Sequence, residues 1–259
     1  MIKKNIKSLA KRIGIYEFIR SKKAKTYESL RDSELLIGAK IGRAFSNYLE
    51  VKKYLIEFKK EKILQVIKER FHAESAGSYG TSSPLNLISL YVITRVLKPE
   101  IFVETGVASG ASSYVILNAM EKNACGALYS IDLPPQDWEE KNREYRNLDK
   151  VVLPENKRPG WLVPDSLRKR WTLIYGDARK ELPVLLDRLG RIDAFYHDAE
   201  HTYEAMLYEY KTVWPRLNSG GVLSSDDVSW NEAFDEFLRG LPGENKAAKH
   251  FDFGVVIKK

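Results

Sequence analysis

From Pro99 onward the chain changes rhythm. Short apolar runs alternate with stretches whose apolar positions recur every three or four residues. The runs are EIFVETG (100–106), ALYSIDL (127–133), WTLIYGDA (171–178), IDAFYHDA (192–199) and GVLSSDDV (221–228). Each is too short for a helix and rich in β-branched or aromatic residues, so each reads as a strand. Stretches such as ASSYVILNAMEKN and YEAMLYEYKTVWPRL lie between them and read as amphipathic helices. Strand, helix, strand, repeated this way, predicts an α/β fold with a doubly wound, mostly parallel sheet covered on both faces.

The first part of the chain has a different pattern. Ile2, Ile6, Leu9, Ile13 and Tyr16 form one apolar stripe, with Lys3, Lys4, Lys7, Lys11 and Arg12 off it. Such a basic amphipathic helix suits packing on its own domain, docking on a partner or a second copy, or contact with an anionic membrane. A second helical stretch is expected from Asp32 to Phe71, broken near Gly38 and Gly42. Residues 1–72 are thus read as a helical extension and 73–259 as the main domain. AESAGSYGTSSP (73–84) is a loop between them, followed by the helix PLNLISLYVITRVLK. The proline-rich segment 134–170 is too long for a plain connection and reads as a functional insertion.

Charge sharpens this division. The chain carries +7 overall, yet residues 1–70 hold 19 Lys/Arg against 8 Asp/Glu. The main domain is therefore net acidic, which disfavours nucleic acid as its ligand. One cysteine, Cys125, excludes an intrachain disulfide and suggests a reduced, cytoplasmic setting. The N-terminus lacks the continuous apolar core of a secretory signal, and no run long enough to span a membrane is present. Peripheral contact at the inner membrane face through residues 1–20, and homo-oligomer formation, stay open.

In open parallel sheets, ligands bind beyond the carboxyl ends of the strands. The five strand ends here carry Glu104 with the turn Thr-Gly106-Val-Ala-Ser-Gly110, then Asp132, Asp177, Asp198 with His201, and Asp226-Asp227. Carboxylates collected on one rim repel one another unless a cationic or hydroxyl-rich ligand sits among them. The turn follows a strand and opens a helix, so its glycines allow close backbone approach to that ligand. HDAEH imitates the zinc signature H-E-x-x-H. However, 192–197 reads as a strand, so His197 and His201 do not share a helix face.

Taken in order, VETGVASG, YSIDL, IYGDA, FYHDAEHTYE and LNSGGVLSSDDV resemble class I S-adenosylmethionine-dependent methyltransferases, which have a Rossmann-like fold. The likeness is nearest to the methyltransferase-24 branch and to catechol-O-methyltransferase-like enzymes. It spans about residues 80–230, and GWLVPDSLRKRW (160–171) resembles a group within that branch. It does not cover the first 70 or so residues. The resemblance implies that Glu104, Gly106, Ser109 and Gly110 hold the methionine part of the cofactor and Ser112 its carboxylate. It also implies that Asp132 binds the ribose, that Asp177 and Ala178 border the adenine, and that Asp198 borders the cofactor. In metal-dependent relatives, residues matching Asp198, Asp226 and Asp227 bind Mg²⁺, and a base stands where His201 does.

The expected activity is O-methylation of a small hydroxylated acceptor such as a sugar, glycoside or glycolipid. His197, on the strand, is expected to face away from the site or to support it from behind. The alternatives are a docking protein with a vestigial cofactor fold and a nucleic-acid methyltransferase. The full fold ends in an antiparallel hairpin, for which only FDFGVVIKK looks strand-like. The sheet is therefore expected to be truncated or to end in a very short hairpin.

Overall fold

The computed structural model describes residues 48–73, 82–134, 153–154, 157–243, 245–250 and 252–259. The chain divides into two units, Met1–Leu36 and Ile37–Lys259, and all described residues belong to the second. The basic stripe Ile2–Tyr16 and the breaks expected at Gly38 and Gly42 lie outside the described residues, as does most of the insertion.

Two helices come first, α1 (Tyr48–Lys60) and α2 (Ile63–Ala73), separated by Lys62 in a left-handed conformation. They were read as part of the N-terminal extension. Their apolar faces (Val51, Tyr54, Leu55, Phe58, Ile63, Ile67) pack into the same core as the next helix, α3 (Pro84–Leu97). Arg95 and Tyr91 of α3 both hydrogen-bond to Glu57 Oε1, at 2.7 and 2.5 Å, fixing α1 on α3. Ser83 caps α3 by accepting the Asn86 N–H at 3.2 Å, and Pro84 presets its first turn.

The alternating part follows as β1 (Ile101–Thr105), α4 (Ala111–Asn123), β2 (Ala127–Asp132), the short α5 (Asp165–Arg168), β3 (Trp171–Tyr175), α6 (Ala178–Leu189), β4 (Ile192–His197) and α7 (Tyr203–Val213). After these come β5 (Leu217–Ser225), α8 (Ala233–Arg239), β6 (Lys246–His250) and β7 (Phe253–Ile257). The seven strands form one sheet in the order β3-β2-β1-β4-β5-β7-β6. Strands one to five are parallel, and β7 runs antiparallel between β5 and β6. This is the doubly wound, mostly parallel, Rossmann-like sheet expected from the sequence.

Neighbouring strand residues feed opposite layers. Phe102, Ala194, Tyr196 and Val222 pack under α1–α4, whereas Val103, Phe195 and Leu223 pack under α6–α8. Burial on both faces is why these strands read as near-continuous apolar runs.

Of the two expectations for the end of the sheet, the short hairpin holds: two five-residue strands close it, one of which, KAAKH, gives little apolar signal. One detail differs from expectation. β5 begins at Leu217, four residues before the predicted run. Pairing with β4 slips between Ile192 and Ala194, and Gly220 at φ 78 sits in the irregular stretch. That bulge makes Asn-Ser-Gly-Gly look like a turn in sequence while it remains in the strand.

Candidate active site

The turn after β1 is shaped by close backbone contact. Gly106 has φ +82, and a Cβ there would lie 2.0 Å from the carbonyl oxygen of Asp198. The β1 and β4 exits are thus pressed together, and only glycine fits. Gly110 (φ +87) precedes α4 with no side chain capping the helix, leaving its start available to an anion. A Cβ on Gly110 would stand 2.7 Å from the Gly160 Cα. Gly160 and Leu162 donate backbone hydrogen bonds to Ala108 and Ser109 (2.8 and 3.0 Å), so the GWLVP segment lies along the turn.

Glu104 is fully buried at the root of this turn. Its Oε2 accepts from Ser113 Oγ (2.6 Å) and Ser130 Oγ (2.7 Å), and Trp171 Nε1 fixes Ser130 at 2.9 Å. Burial pushes its carboxyl pKa up, and the hydroxyls of Ser112, Ser113 and Ser130 pull it back. Buried Oε1 and the buried Ser109 Oγ each lack a hydrogen-bond partner among the described residues. Unmet buried polar atoms are costly, so two of them beside one turn mark a place where a ligand completes the bonding.

Asp132 has a second job besides the one expected of it. Its Oδ2 accepts from the N–H groups of Val107 (3.0 Å) and Ala108 (2.7 Å), and its Oδ1 from Leu133 N (2.7 Å). It therefore clamps the turn in place. Burial pushes its pKa up to about 7 against the pull of these N–H groups. A carboxylate has further lone pairs, so Oδ1 can still accept from a hydroxyl. Asp177 caps α6 by accepting Arg179 N at 2.9 Å, and Ala178 begins that helix. The bond from Gly176 N to Asp132 O (2.8 Å) brings this corner beside Asp132.

The exits of β4 and β5 form the second half. Asp198 Oδ2 accepts from Ser82 Oγ (2.6 Å) and Tyr196 OH (3.2 Å). Asp226 Oδ1 accepts from Asn86 Nδ2 (2.5 Å) and Asp227 N (2.7 Å). Burial and the nearby Asp226 charge raise the Asp198 pKa well above the usual range. Asp227 takes a left-handed φ of 50, turning the chain beneath His201. The His201 ring stands between two acids, with Nε2 3.7 Å from Asp198 Oδ1 and Nδ1 3.7 Å from Asp227 Oδ2. Trp230 lies against it at 5.5 Å between ring centres. His197 projects to the α7 side of the sheet, where its Nδ1 meets Glu209 at 2.7 Å and its ring reaches that of His201.

A family profile described as "Methyltransferase domain" matches residues 103–228, which include both halves of this site. The matched stretch runs from within β1 to just past the end of β5. Solved structures with the same fold include a Bacillus cereus O-methyltransferase in complex with SAH, with 14% identity and a TM-score of 0.51, covering 76% of this chain and 90% of that one. Another is the O-methyltransferase TomG from Streptomyces achromogenes in complex with SAM, with 16% identity and a TM-score of 0.50, covering 77% of this chain and 89% of that one. At these identities the likeness establishes the fold. No curated protein matches the chain.

The second half of the site bears on the metal that the sequence resemblance implied. Three carboxylates at two strand ends suit a hard cation in their chemistry. Yet among the described residues no group of three or more His, Cys, Asp or Glu side chains is gathered so as to hold an ion. Asp198 Oδ2 and Asp226 Oδ1 are engaged by Ser82, Tyr196 and Asn86. Of the other carboxylate oxygens, Asp198 Oδ1 and Asp227 Oδ2 face His201 instead, each 3.7 Å from a ring nitrogen. The sequence reading missed those three partners, together with Ser113, Ser130 and Glu209. Ser82 and Asn86 flank the Ser-Pro start of α3, whose capping signal was visible; what α3 points at was not.

Proposed function

We propose that the protein is an S-adenosylmethionine-dependent O-methyltransferase acting on a hydroxyl of a small acceptor such as a sugar, glycoside or glycolipid. The observation that carries this reading is the pair of unmet buried atoms, Glu104 Oε1 and Ser109 Oγ, beside an uncapped helix start. An amino acid needs that set: an acceptor for its ammonium, and a hydroxyl and helix N–H groups for its carboxylate. The SAH and SAM bound to the B. cereus enzyme and to TomG support the identity of the cofactor.

When bound, the cofactor supplies a methyl group on a sulfonium, which needs no further activation. The protein's part is to align the acceptor and remove its proton. Glu104 and Ser109 would bind the amino-acid end, Asp132 Oδ1 a ribose hydroxyl, and the Asp177–Ala178 corner the base. His201 would take the acceptor's proton, and the carboxylates of Asp198 and Asp227 would stabilise the resulting imidazolium. The Mg²⁺ implied by the resemblance supplies no step in this account.

Calorimetric titration with S-adenosylmethionine tests the core of the reading. Binding is expected, and no binding with or without Mg²⁺ removes it. The His201→Ala variant is expected to lower turnover about 10²–10⁴-fold while cofactor affinity stays within about twofold. An equal loss of both contradicts the base role.

A further inference from the structure

Behind His201 lies a buried chain of polar groups that the proposed chemistry does not use. Thr105, the last residue of β1, donates its hydroxyl to Glu209 Oε2 at 2.6 Å. The same oxygen meets His197 Nδ1 at 2.7 Å. Thr105 and His197 are also direct neighbours across the β1–β4 pairing. Thr105 and His197 are 0% exposed and Glu209 is 1% exposed.

We infer that Glu209 and His197 are positioning residues for His201, and that Thr105 ties this pair to the cofactor turn. The inference rests on the reading of His201 as the base. A carboxylate facing Nδ1 fixes the proton on that nitrogen, since an acceptor oxygen needs a donor. The His197 ring is thereby held in one orientation and one tautomer. Its Nε2 is left buried with no hydrogen-bond partner among the described residues.

The His197 ring stands against His201, 5.4 Å between centres and at 88°. Tyr210, at 5.7 Å and 78°, backs His197 on another side. His201 thus has His197 and Trp230 as ring neighbours and Asp198 and Asp227 opposite its two nitrogens. Its backbone is tethered separately, through the Asn231 Nδ2 bond to its carbonyl at 3.1 Å. Side-chain direction therefore depends on the rings and acids around it, and His197 is the one that is itself locked from behind. A purely apolar core residue at 197 would fill the same space, but Glu209 would then be buried without its nitrogen partner. Thr105 immediately precedes Gly106, so the same carboxylate touches the root of the cofactor turn and the support of the base.

The test uses the full-length chain labelled with ¹⁵N-histidine, which has only four histidines to assign. Long-range proton–nitrogen spectra are expected to show His197 as a single Nδ1–H tautomer and His201 as one set of ring signals. In His197→Phe, which keeps a ring, the His201 signals are expected to split or shift while S-adenosylmethionine affinity stays within about twofold. In His197→Asn, whose amide can still donate to Glu209, cross-peaks of His201 should stay nearer to wild type. Glu209→Gln keeps the shape without the charge and covers the case in which the phenylalanine variant does not fold. There the His197 ring proton should exchange about tenfold faster, since the charge-assisted bond is lost. Unmoved His201 signals in both His197→Phe and Glu209→Gln, or an Nε2–H tautomer at His197, overturn the inference. These spectra report the position of His201 whether or not methyl transfer depends on it, so this inference and the base reading fail separately.

Discussion

The two halves of the site hold their carboxylates in different ways. Around the β1 turn, Asp132 is gripped by three backbone N–H groups, and Gly106 is pressed on the Asp198 carbonyl. At the β4 and β5 exits, Asp198 and Asp226 are held mainly by side chains from elsewhere: Ser82 and Asn86 from the start of α3, and Tyr196 from the strand itself. Backbone grips follow from chain path and tolerate few changes of conformation. Side-chain grips can be altered one at a time. Under the proposed function, the first half would receive the cofactor and the second the acceptor.

The sharpest break of this contrast is Gly106→Ala, because that residue belongs to both halves. A Cβ would meet Asp198 O at 2.0 Å, in a backbone conformation disfavoured for any other residue. A loss of at least about 3 kcal/mol of stability is expected, with loss of cofactor binding. Thermal unfolding and calorimetry read both; an unchanged midpoint would mean the two exits are not pressed together.

Next comes pH. Asp132 has a folded pKa of about 7, above its ordinary value of 3.8, so the folded state holds this proton more tightly than the unfolded state does. Its contribution to stability is therefore full below the ordinary value and is lost as pH rises towards 7. Asp132→Asn should flatten that decline, an effect on the order of a few kcal/mol at most, read from urea midpoints between pH 4 and pH 7. A decline as steep as in the wild type would assign it to other acids.

Smaller again, and confined to one half, is Glu104→Gln. The amide keeps the shape but loses the charge that an ammonium would meet, so cofactor affinity should fall about 10–100-fold. The melting temperature should move little, because burial already disfavours the charged carboxyl. A matched fall in both would make Glu104 a purely structural group.

This contrast also explains what could be read from sequence. The five parallel strands, the turn glycines, the strand-end acids and the strand nature of Ile192–His197 all follow from patterns within a few residues. A strand of Lys-Ala-Ala-Lys-His carries no such pattern; β6 exists because β7 offers it an edge. Likewise Ser82 and Asn86 reach acids 116 and 140 residues away, and nothing near them in sequence names those partners. Glu209 lies on the buried face of α7, against Thr105 and His197, and no residue near it in the sequence names those partners. Local periodicity fixes which face a residue occupies, whereas the identity of its partner depends on how distant elements pack.

The smallest effect is expected from divalent cations on cofactor binding. The unmet atoms that receive the amino-acid end, Glu104 Oε1 and Ser109 Oγ, belong to the β1 turn, and the acids implied for Mg²⁺ belong to the β4 and β5 exits. The two sets meet through the Gly106–Asp198 backbone contact and through the weaker influence of the Glu104 charge on Asp198. S-adenosylmethionine affinity measured by calorimetry with EDTA and with millimolar Mg²⁺ should therefore agree within about twofold. A tenfold difference, about 1.4 kcal/mol of coupling, would join the halves into one electrostatic unit. The contrast between a backbone-built cofactor half and a side-chain-built acceptor half would then have to be abandoned.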